Sequence, residues 1–370
     1  MQRKDRYIII MAGGRGERFW PVSRERKPKQ LITLLGDRSF LQQTVDRVKP
    51  VVPIENIFII TNAVQAAAVR RQLPELPRRN IIGEPCGRDT CAAVALGAAL
   101  VGARSANGVM AVLPADHVIP DEVKFRRVLI DSMILAKRES ALVTIGIEPH
   151  EPATGYGYIQ VGNKLAKAST KSLKSTFFAA KKFVEKPNLA MAKRYLKSGR
   201  YRWNAGMFIW SHETIAAELL RQQPMLSAAA EQWRGIRGLA KLNAALARDY
   251  PKLEKISVDY AIMENAQNIV CADGVFGWDD LGSWPALARH LKPDAAGNCA
   301  VGDLVQIDSA NNVVFDARTR KRGPIAIVGI SDMVVVQTDD ATMVAHQSES
   351  QKIKQIVARL ARNNRFAHLV

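Results

Sequence analysis

The sequence predicts an α/β fold with a doubly wound, mostly parallel sheet, followed by a small C-terminal β domain. Two observations lead to this prediction. Up to about Ile145, short apolar runs alternate with helical segments, a pattern typical of strands that are buried on both faces of a parallel sheet. From Gly297 onward the pattern changes to short β runs separated by Gly, Asn or Asp, which indicates a coil of stacked strands.

Length and composition indicate a globular protein with two domains. The chain has 370 residues, of which 47% are hydrophobic and 24% charged. We expect one domain over residues 1–292 and a second over 293–370 that ends in an amphipathic helix. No apolar run has membrane-spanning length and the N-terminus lacks an apolar signal core, so we expect a cytoplasmic protein without a membrane partner. The four cysteines lack CxxC spacing and predict neither zinc nor disulfides.

The chain is strongly basic. Its formal net charge is +18, and residues 164–202 alone hold twelve Lys or Arg residues against one acidic residue. Such a cluster is compatible with nucleic acid, an acidic surface or small anionic substrates. The chain has no aromatic-plus-basic RNA-binding signature and no helix-turn-helix pattern. We therefore interpret most of these residues as a solvated face and expect no nucleic-acid partner.

Strands and helices alternate in the predicted first domain. A capping box at Ser39 and Gln42 starts the first helix, and Pro74 ends the second. The predicted strands are 7–11, 57–60, 81–82, 110–113 and 142–145, and the predicted helices lie near 39–48, 64–73, 90–104 and 122–137. Ligands of such sheets bind beyond the carboxyl ends of the strands, where the loop after the first strand, Glu84 and Asp116 are expected.

A glycine-rich loop follows the first strand. Gly13, Gly14 and Gly16 allow backbone N–H groups to approach an anion or a flat base closely, and six Arg or Lys residues follow. The loop lacks the GK[ST] ending of a P-loop and has Phe19 in place of the third glycine of the dinucleotide fingerprint. It is predicted to be a phosphate cradle of neither common type; the alternative is an ordinary turn with a solvated basic face.

Two aspartates are candidate ligands for a cation. A reaction between phosphates requires positive charge, and a hard cation such as Mg²⁺ prefers one or two carboxylates together with substrate phosphates. Asp116 follows a predicted strand, and Asp280 lies in a Gly-rich turn. Singly, such residues are more often turn formers or helix caps, but as a pair beside a phosphate loop they predict a metal site.

The stretch AGGRGERFWPVSRERKPKQ, residues 12–30, resembles the signature of sugar-phosphate nucleotidyltransferases, and it is most similar to the mannose-1-phosphate guanylyltransferase (GDP-mannose pyrophosphorylase) branch. Six further stretches match that family in order over about residues 1–345: EPCGRDTCAA, LPADHVI, TGYGYI, FVEKP, NAGMF and GWDDLGSW. The resemblance implies a Rossmann-like nucleotidyltransferase domain, a short left-handed β-helix as the C-terminal domain, Mg²⁺ as the cofactor and a homodimer.

The resemblance also implies a reaction: transfer of GMP from GTP to α-D-mannose 1-phosphate, forming GDP-mannose and pyrophosphate by in-line attack on the α-phosphorus. Glu84 would accept hydrogen bonds from N1 and N2 of guanine, whereas it would repel O4 of uracil. The implied residues are Arg18, Lys29 and Lys186 for catalysis; Gly13, Gly14, Arg15, Gly16, Glu84, Pro85 and Arg88 for the nucleotide; Gly157, Glu185, Lys186 and Asn204 for the sugar phosphate; and Asp116 and Asp280 for the metal.

The sequence departs from the branch at Asp89 and Cys91, where Asn and a small residue are usual. An acidic residue near the base or ribose could change the base preference, so the same reaction with another pair, such as glucose 1-phosphate with UTP or dTTP, remains an alternative. A catalytically inactive paralogue that binds GDP-mannose is a second alternative, although the implied catalytic charges are all present. The chain ends before the isomerase domain that some longer relatives carry, and no isomerase activity is expected.

Overall fold

The computed structural model describes residues 1–166, 172–320 and 323–370. The described chain forms two compact units. The first unit consists of Met1–Gly13 and Gln43–Trp278, and the second of Gly14–Gln42 and Asp279–Val370. The predicted boundary between residues 292 and 293 stays a prediction. Of the basic segment 164–202, residues 167–171 lie outside the described part.

A nine-stranded sheet forms the centre of the first unit, counted over the described residues. Its strands are β1 (Arg6–Ala12), β2 (Ile57–Asn62), β3 (Ile81–Glu84), β4 (Val109–Pro114), β5 (Leu142–Ile147), β6 (Tyr158–Lys164), β7 (Phe177–Val184), β8 (Tyr201–Ser211) and β9 (Ile269–Asp273). They lie in the order β3-β2-β1-β4-β8-β5-β9-β7-β6. The pairs β1–β2, β2–β3, β1–β4 and β5–β9 are parallel, whereas β8 is antiparallel to β4, β5 and β6. The predicted α/β fold class is confirmed, but the sheet is mixed and not mostly parallel, because β7 is also antiparallel to β6 and β9.

Helices connect these strands. They are α1 (Phe40–Val48), α2 (Ala66–Gln72), α3 (Asp89–Gly102), α4 (Glu122–Glu139), α5 (Leu189–Ser198), α6 (His212–Gln222), α7 (Pro224–Gly235) and α8 (Leu239–Asp249). Side-chain caps fix several of their starts: the carboxylate of Asp121 accepts from the N–H of Lys124 at 2.9 Å, and the amide oxygen of Asn188 accepts from the N–H of Met191 at 2.9 Å. None of the described helices is both long and apolar enough to cross a lipid bilayer.

The core of the first unit is built on β1. Ile8, Ile9 and Ile10 are fully buried, as expected of a strand covered on both faces, and each contributes roughly 1.5–3 kcal/mol by burial. Helix α3 packs closely against this strand because Gly97 has no side chain; a Cβ added there would lie 3.1 Å from the side chain of Ile9. Strand β1, which leads to Gly13, is thereby packed closely against α3.

In its described residues, the second unit contains two small sheets. Its elements are α9 (Trp284–Ala288), β10 (Cys299–Val301), β11 (Leu304–Ile307), β12 (Val313–Asp316), β13 (Ile325–Val328), β14 (Met333–Gln337), β15 (Thr342–His346) and α10 (Ile353–Ala361). Strands β10, β12 and β14 pair in parallel, and β11 pairs in parallel with β13. The chain therefore alternates between two parallel sheets, which is the path of a β-helix. Two buried asparagines join its turns: the side chain of Asn298 accepts from the N–H of Asn312 at 3.0 Å.

Candidate functional site

Three candidate residues emerge at one edge of the large sheet. Gly13 follows β1, and Asp116 follows the parallel neighbour β4, whose pairing with β1 ends at Met11 and Pro114. Glu84 is the last residue of β3. Because the carboxyl ends of parallel strands point the same way, the predicted clustering of these residues at the carboxyl edge agrees with the topology.

Glu84 is a buried carboxylate held by a tyrosine. Its side chain is 7% exposed, and Oε1 accepts a hydrogen bond of 2.6 Å from the hydroxyl of Tyr250. Burial raises the pKa of Glu84 to about 7, although the bond from Tyr250 opposes this rise. The second oxygen, Oε2, lies 2.8 Å from the position that a Cβ on Gly13 would occupy. A side chain at position 13 would therefore displace this oxygen, and the carboxylate lies directly beside Gly13.

The stretch after Glu84 is anchored rather than loose. Pro85 is exposed, and the guanidinium of Arg88 donates to the main-chain carbonyls of Tyr250, at 3.1 Å, and of Pro251. Asp89 begins α3 with its carboxylate accepting from the next N–H at 2.8 Å. Asp89 therefore satisfies one of the free N–H groups at the start of the helix. Its effect on base preference stays open.

Cys91, the other departure from the family pattern, is fully buried in α3. Burial raises the pKa of its thiol to about 12, so the side chain is a neutral, small apolar group.

The predicted sugar-phosphate residues lie together. The carbonyl of Gly157 accepts from the N–H of Asn204 at 2.8 Å, and a Cβ on Gly157 would lie 2.6 Å from Oε2 of Glu185. The ammonium of Lys186 donates to Oε1 of Glu185, and this bond raises the pKa of Lys186. The structure thus gathers a carboxylate, an ammonium and an amide around a glycine turn, which suits hydroxyl and phosphate groups.

Sequence reasoning missed one member of this cluster, Asp259. Its Oδ1 accepts a hydrogen bond of 2.6 Å from Nδ2 of Asn204. Burial, together with the negative charge of Glu185, raises the pKa of Asp259 to about 6, while Asn204 and Lys186 oppose the rise. Asp259 begins a five-residue π-helical turn, Asp259–Met263, and such turns are frequent at functional sites. In the sequence it looks only like the start of a helix.

Aromatic side chains support the loops of this site. Nε1 of Trp278 donates to Nδ1 of His117 at 3.0 Å, which fixes the residue after Asp116. The Trp278 ring also contacts the ring of Tyr156 edge-on, with 5.3 Å between centroids, and Tyr156 contacts Trp203 at 5.0 Å. The turn before Gly157 is therefore packed against the same tryptophan as the loop that carries Asp116.

The second unit holds the basic part of the signature loop. Lys29 is 4% exposed, and its Nζ donates to the main-chain carbonyl of Asp280 at 2.6 Å. The same ammonium lies 5.7 Å from the ring centre of Phe19 and 5.5 Å from that of Phe40. Gly16 is left-handed, with φ of 62°, and a Cβ there would lie 2.4 Å from that of Lys29. The loop thus requires glycine at this position on two grounds.

The remaining residues of the loop differ in their surroundings. The carbonyl of Gly14 accepts from the amide of Gln30 at 3.0 Å, and the exposed Arg15 is 3.8 Å from the carboxylate of Glu17. Arg18 makes no ion pair with any residue that the structure describes. Its Nη1 and the carboxylate of Asp280 both border Gly282: they lie 3.3 Å and 2.9 Å from the position of an added Cβ. A cation and a carboxylate therefore border the same glycine turn, and the roles predicted for Arg18 and Asp280 stay predictions.

Asp279, the neighbour of the candidate ligand, has a structural role. The guanidinium of Arg289 donates to both of its oxygens at 2.8 and 2.9 Å, and Nε2 of His290 lies 2.8 Å from Oδ2. Burial alone would raise the pKa of Asp279, but these bonds lower it to about 2. Both oxygens of Asp279 are thereby engaged within the protein, and metal ligation by Asp280 stays a prediction.

Strained backbone marks three of the motifs. Asp89, Lys186 and Leu281 have φ of 62°, 41° and 44°, in the left-handed region that costs residues other than glycine about 1 kcal/mol or more. Each of these residues lies next to a predicted ligand-binding residue. The surrounding contacts maintain these conformations, as is frequent at binding sites.

The two candidate metal ligands fall in different units, Asp116 in the first and Asp280 in the second. Among the described residues, no group of three or more His, Cys, Asp or Glu side chains is arranged to hold a metal ion. Mg²⁺ bound through one or two carboxylates and substrate phosphates needs no such group, and aspartate oxygens are the hard donors that this cation prefers. The donor chemistry fits, and joint ligation stays a prediction.

Comparisons with known proteins agree with this picture. The profile of the family described as "Nucleotidyl transferase" matches residues 7–296, and that of the "MannoseP isomerase/GMP-like beta-helix domain" matches residues 302–360. The predicted β-helix-like C-terminal domain is thereby confirmed, while its handedness stays a prediction. The chain is 37% identical over 355 residues to the xanthan biosynthesis protein XanB of Xanthomonas campestris pv. campestris (strain B100), covering 95% of this chain and 72% of that protein.

Two further relatives carry more informative names. The chain is 38% identical over 371 residues to a mannose-1-phosphate guanylyltransferase of Salmonella montevideo, covering 98% of this chain and 75% of that one. Its fold matches a crystal structure described as mannose-1-phosphate geranyltransferase from Thermus thermophilus, with a TM-score of 0.84 and 34% identity, over 96% of this chain and 99% of the other.

The raised pKa of Glu84 predicts a pH-dependent cost in stability. Between pH 4.5, its ordinary pKa, and about 7, the unfolded chain loses this proton while the folded chain keeps it, so folding becomes less favourable as pH rises. The full cost above pH 7 is on the order of 3 kcal/mol. Glu84→Gln keeps an acceptor for Tyr250 without the charge, and we expect it to be about 2–3 kcal/mol more stable than wild type at pH 8 but not at pH 5.

Urea unfolding at the two pH values measures this difference. Glu254→Gln, at an exposed carboxylate, is the matched control and should show no pH-dependent gain. If Glu84→Gln changed the free energy of unfolding equally at pH 5 and pH 8, this would contradict a raised pKa of Glu84 in the folded protein.

Proposed function

The chain belongs to the nucleotidyl transferase family, and from this premise we propose that it transfers GMP from GTP to α-D-mannose 1-phosphate, forming GDP-mannose and pyrophosphate. Relatives named mannose-1-phosphate guanylyltransferase, at 36–38% identity over nearly the whole chain, support this choice of substrates. The observation in this chain that carries the proposal is the buried carboxylate of Glu84 beside the glycine-rich loop.

Glu84 recognises the base in this proposal. N1–H and N2–H of guanine are adjacent donors, and a carboxylate accepts from both, whereas the O4 acceptor of uracil or thymine would meet like charge. Tyr250 holds one carboxylate oxygen in place, and the missing side chain of Gly13 gives a flat ring access to the other. Such hydrogen bonds are stronger away from water. A base that cannot donate them would leave the buried carboxylate without partners and would therefore bind more weakly. Pro85, Arg88 and the glycines at 14 and 16 complete the proposed nucleotide-binding set, with Arg15.

The cluster around Gly157 holds the sugar phosphate. Glu185 accepts from sugar hydroxyls, and Asn204 donates to an oxygen of the ligand. Lys186 lies beside Glu185 and is mostly exposed, so its ammonium is free to turn toward the phosphate and orient it for attack. Orientation of this kind can supply several kcal/mol to a reaction between two bound groups.

The chemical step needs no protein nucleophile. An oxygen of mannose 1-phosphate forms a bond to the α-phosphorus of GTP, and the bond to the bridging oxygen breaks in line, so that pyrophosphate leaves with the electron pair. Arg18 and Lys29 neutralise the charge that grows on the leaving group. Lys29 suits this role because its ammonium is buried and already fixed by the Asp280 carbonyl, and a preorganised charge out of water acts strongly.

We propose Mg²⁺ as the cofactor, held by Asp116 and Asp280 together with phosphate oxygens. When bound, the cation would add positive charge against the phosphates. The homodimer implied by the family resemblance stays a prediction.

A substrate panel tests the proposal. Pyrophosphate release is measured with Mg²⁺ for GTP, ATP, UTP and dTTP, each paired with mannose 1-phosphate and with glucose 1-phosphate. We expect the pair of GTP and mannose 1-phosphate to dominate. If UTP or dTTP with glucose 1-phosphate gave the highest rate, the proposed substrates would be wrong. If no pair released pyrophosphate but the protein still bound GDP-mannose, an inactive regulatory protein would be favoured.

Removing the charges of the second unit should slow turnover. Lys29→Met keeps the packing against Phe19 and Phe40 but loses the ammonium, and Asp280→Ala loses the carboxylate. We expect each to lower kcat roughly 10²–10⁴-fold, because each removes stabilisation of the charge on the reacting phosphates. Lys27→Ala, at an exposed lysine of the same loop, should keep near-normal turnover. Near-normal turnover in both Lys29→Met and Asp280→Ala would refute the mechanism.

A further inference from the structure

Asp259 has no role in the proposed function, yet it is hydrogen-bonded to Asn204. Asn204 belongs to the sugar-phosphate cluster, which consists of Gly157, Glu185, Lys186 and Asn204. Asp259 lies 55 residues from Asn204 in the chain and accepts from Nδ2 of that residue at 2.6 Å. The charges of Glu185 and Lys186 both act on its carboxyl, so all four side chains share one region of the first unit. A carboxylate that is partly withdrawn from water needs hydrogen-bond donors, and Asn204 supplies one.

The hydrogen bond to Asp259 fixes which way the amide of Asn204 faces. Its Oδ1 accepts from the N–H of Gly206 at 3.1 Å and is 3.4 Å from the hydroxyl of Thr144. Asp259 can only accept when ionised, and Gly206 can only donate, so both neighbours demand the same amide orientation. One N–H of Nδ2 is then committed to Asp259, and the second N–H is the group that remains for a ligand. Asn204 is held as a donor.

The same stretch of chain also contacts the nucleotide side of the first unit. We call residues 250–259 the 250–259 segment. At its start, the hydroxyl of Tyr250 holds Glu84. Further along, the N–H of Val258 donates to the hydroxyl of Thr90 at 2.9 Å, directly before Asp259. The 250–259 segment therefore bridges the start of α3 and the sugar-phosphate cluster through hydrogen bonds at both ends.

We propose that Asp259 is a positioning residue for the sugar phosphate: it fixes the amide of Asn204 so that the second N–H meets an oxygen of the bound sugar phosphate. This inference rests on the proposed function, because it takes the cluster around Gly157 as the sugar-phosphate site. Asp259 acts through Asn204 and through its hydrogen bond, not through its charge. An added negative charge near a phosphate would by itself weaken binding.

The test compares Asp259→Ala, which removes the acceptor, with Asp259→Asn, which keeps one. For Asp259→Ala we expect the KM of the sugar 1-phosphate to rise about tenfold or more, with the KM of GTP within about twofold of wild type. For Asp259→Asn we expect the KM of the sugar 1-phosphate within about threefold of wild type, because Oδ1 of the new amide still accepts from Asn204. Glu264→Gln, an exposed carboxylate just after the same π-helical turn, is the control and should match wild type in both constants.

A double-mutant cycle identifies the route of the effect. If Asp259 acts through Asn204, then adding Asp259→Ala to Asn204→Ala should change the KM of the sugar 1-phosphate by less than about twofold. Independent, multiplying effects of the two substitutions would overturn the proposal. Equal damage from Asp259→Asn and Asp259→Ala would also overturn it, because the charge and not the hydrogen bond would then matter.

The assay keeps this inference separate from the proposed function. The measurements use whichever sugar 1-phosphate and nucleotide the wild type prefers, so a different preferred pair would overturn the proposed substrates while the Asp259 test still runs. If the wild type turns over no pair, calorimetric affinity for mannose 1-phosphate replaces KM. Equal affinity of wild type and Asp259→Ala would then overturn the role of Asp259.

Discussion

The withdrawal of two carboxylates from water, Glu84 at the end of β3 and Asp259 in the 250–259 segment, is the constraint on which this site depends. A carboxylate away from water is stable only when donors surround it or when it takes up a proton. The hydroxyl of Tyr250 donates a hydrogen bond to Glu84, and the side-chain amide of Asn204 donates one to Asp259. Both solutions use the 250–259 segment, which follows α8 and has no regular strand or long helix of its own. This segment therefore contacts both Glu84, which we propose recognises the base, and Asn204, which we propose binds the sugar phosphate.

The second unit carries Arg18 and Lys29 in a segment that is not part of a strand. Residues 14–42 pack with the C-terminal part of the chain: the Phe19 ring is 5.0 Å from that of Trp284, and Nε1 of Trp20 donates to the carbonyl of Leu369 at 2.9 Å. Trp284 in turn contacts Phe315 of β12, at 5.2 Å. Phe315 of the β-helix domain thus packs on Trp284, which packs on Phe19 of the glycine-rich stretch. Lys29 and Arg18 owe their placement to this packing, because neither lies in a long helix or a strand.

Local patterns in the sequence predicted most of the elements and the clustering of the family motifs. The strand predicted at 142–145 extends from Leu142 to Ile147, and the strand predicted at 57–60 extends from Ile57 to Asn62. Such runs are recognisable because alternation and turn residues act over a few positions. Gly157, Glu185 and Asn204 were grouped through family resemblance; they lie close together in the structure, and their role in binding stays a prediction. Tyr250 and Asp259 were missed because their partners are 166 and 55 residues away, and a long-range hydrogen bond leaves no local pattern. The grouping of residues 14–42 with the C-terminal part of the chain was missed for the same reason.

Recognition of guanine by Glu84 is the central claim, and inosine triphosphate tests it most directly. Inosine triphosphate differs from GTP only in lacking the 2-amino group, so the comparison removes one donor and changes nothing else. A hydrogen bond to a charged group contributes about 1.5–3 kcal/mol, which predicts a kcat/KM for GTP roughly 10–100 times that for inosine triphosphate. In Glu84→Gln this preference should fall to within about threefold. Equal kcat/KM for the two nucleotides in the wild-type protein would contradict the account.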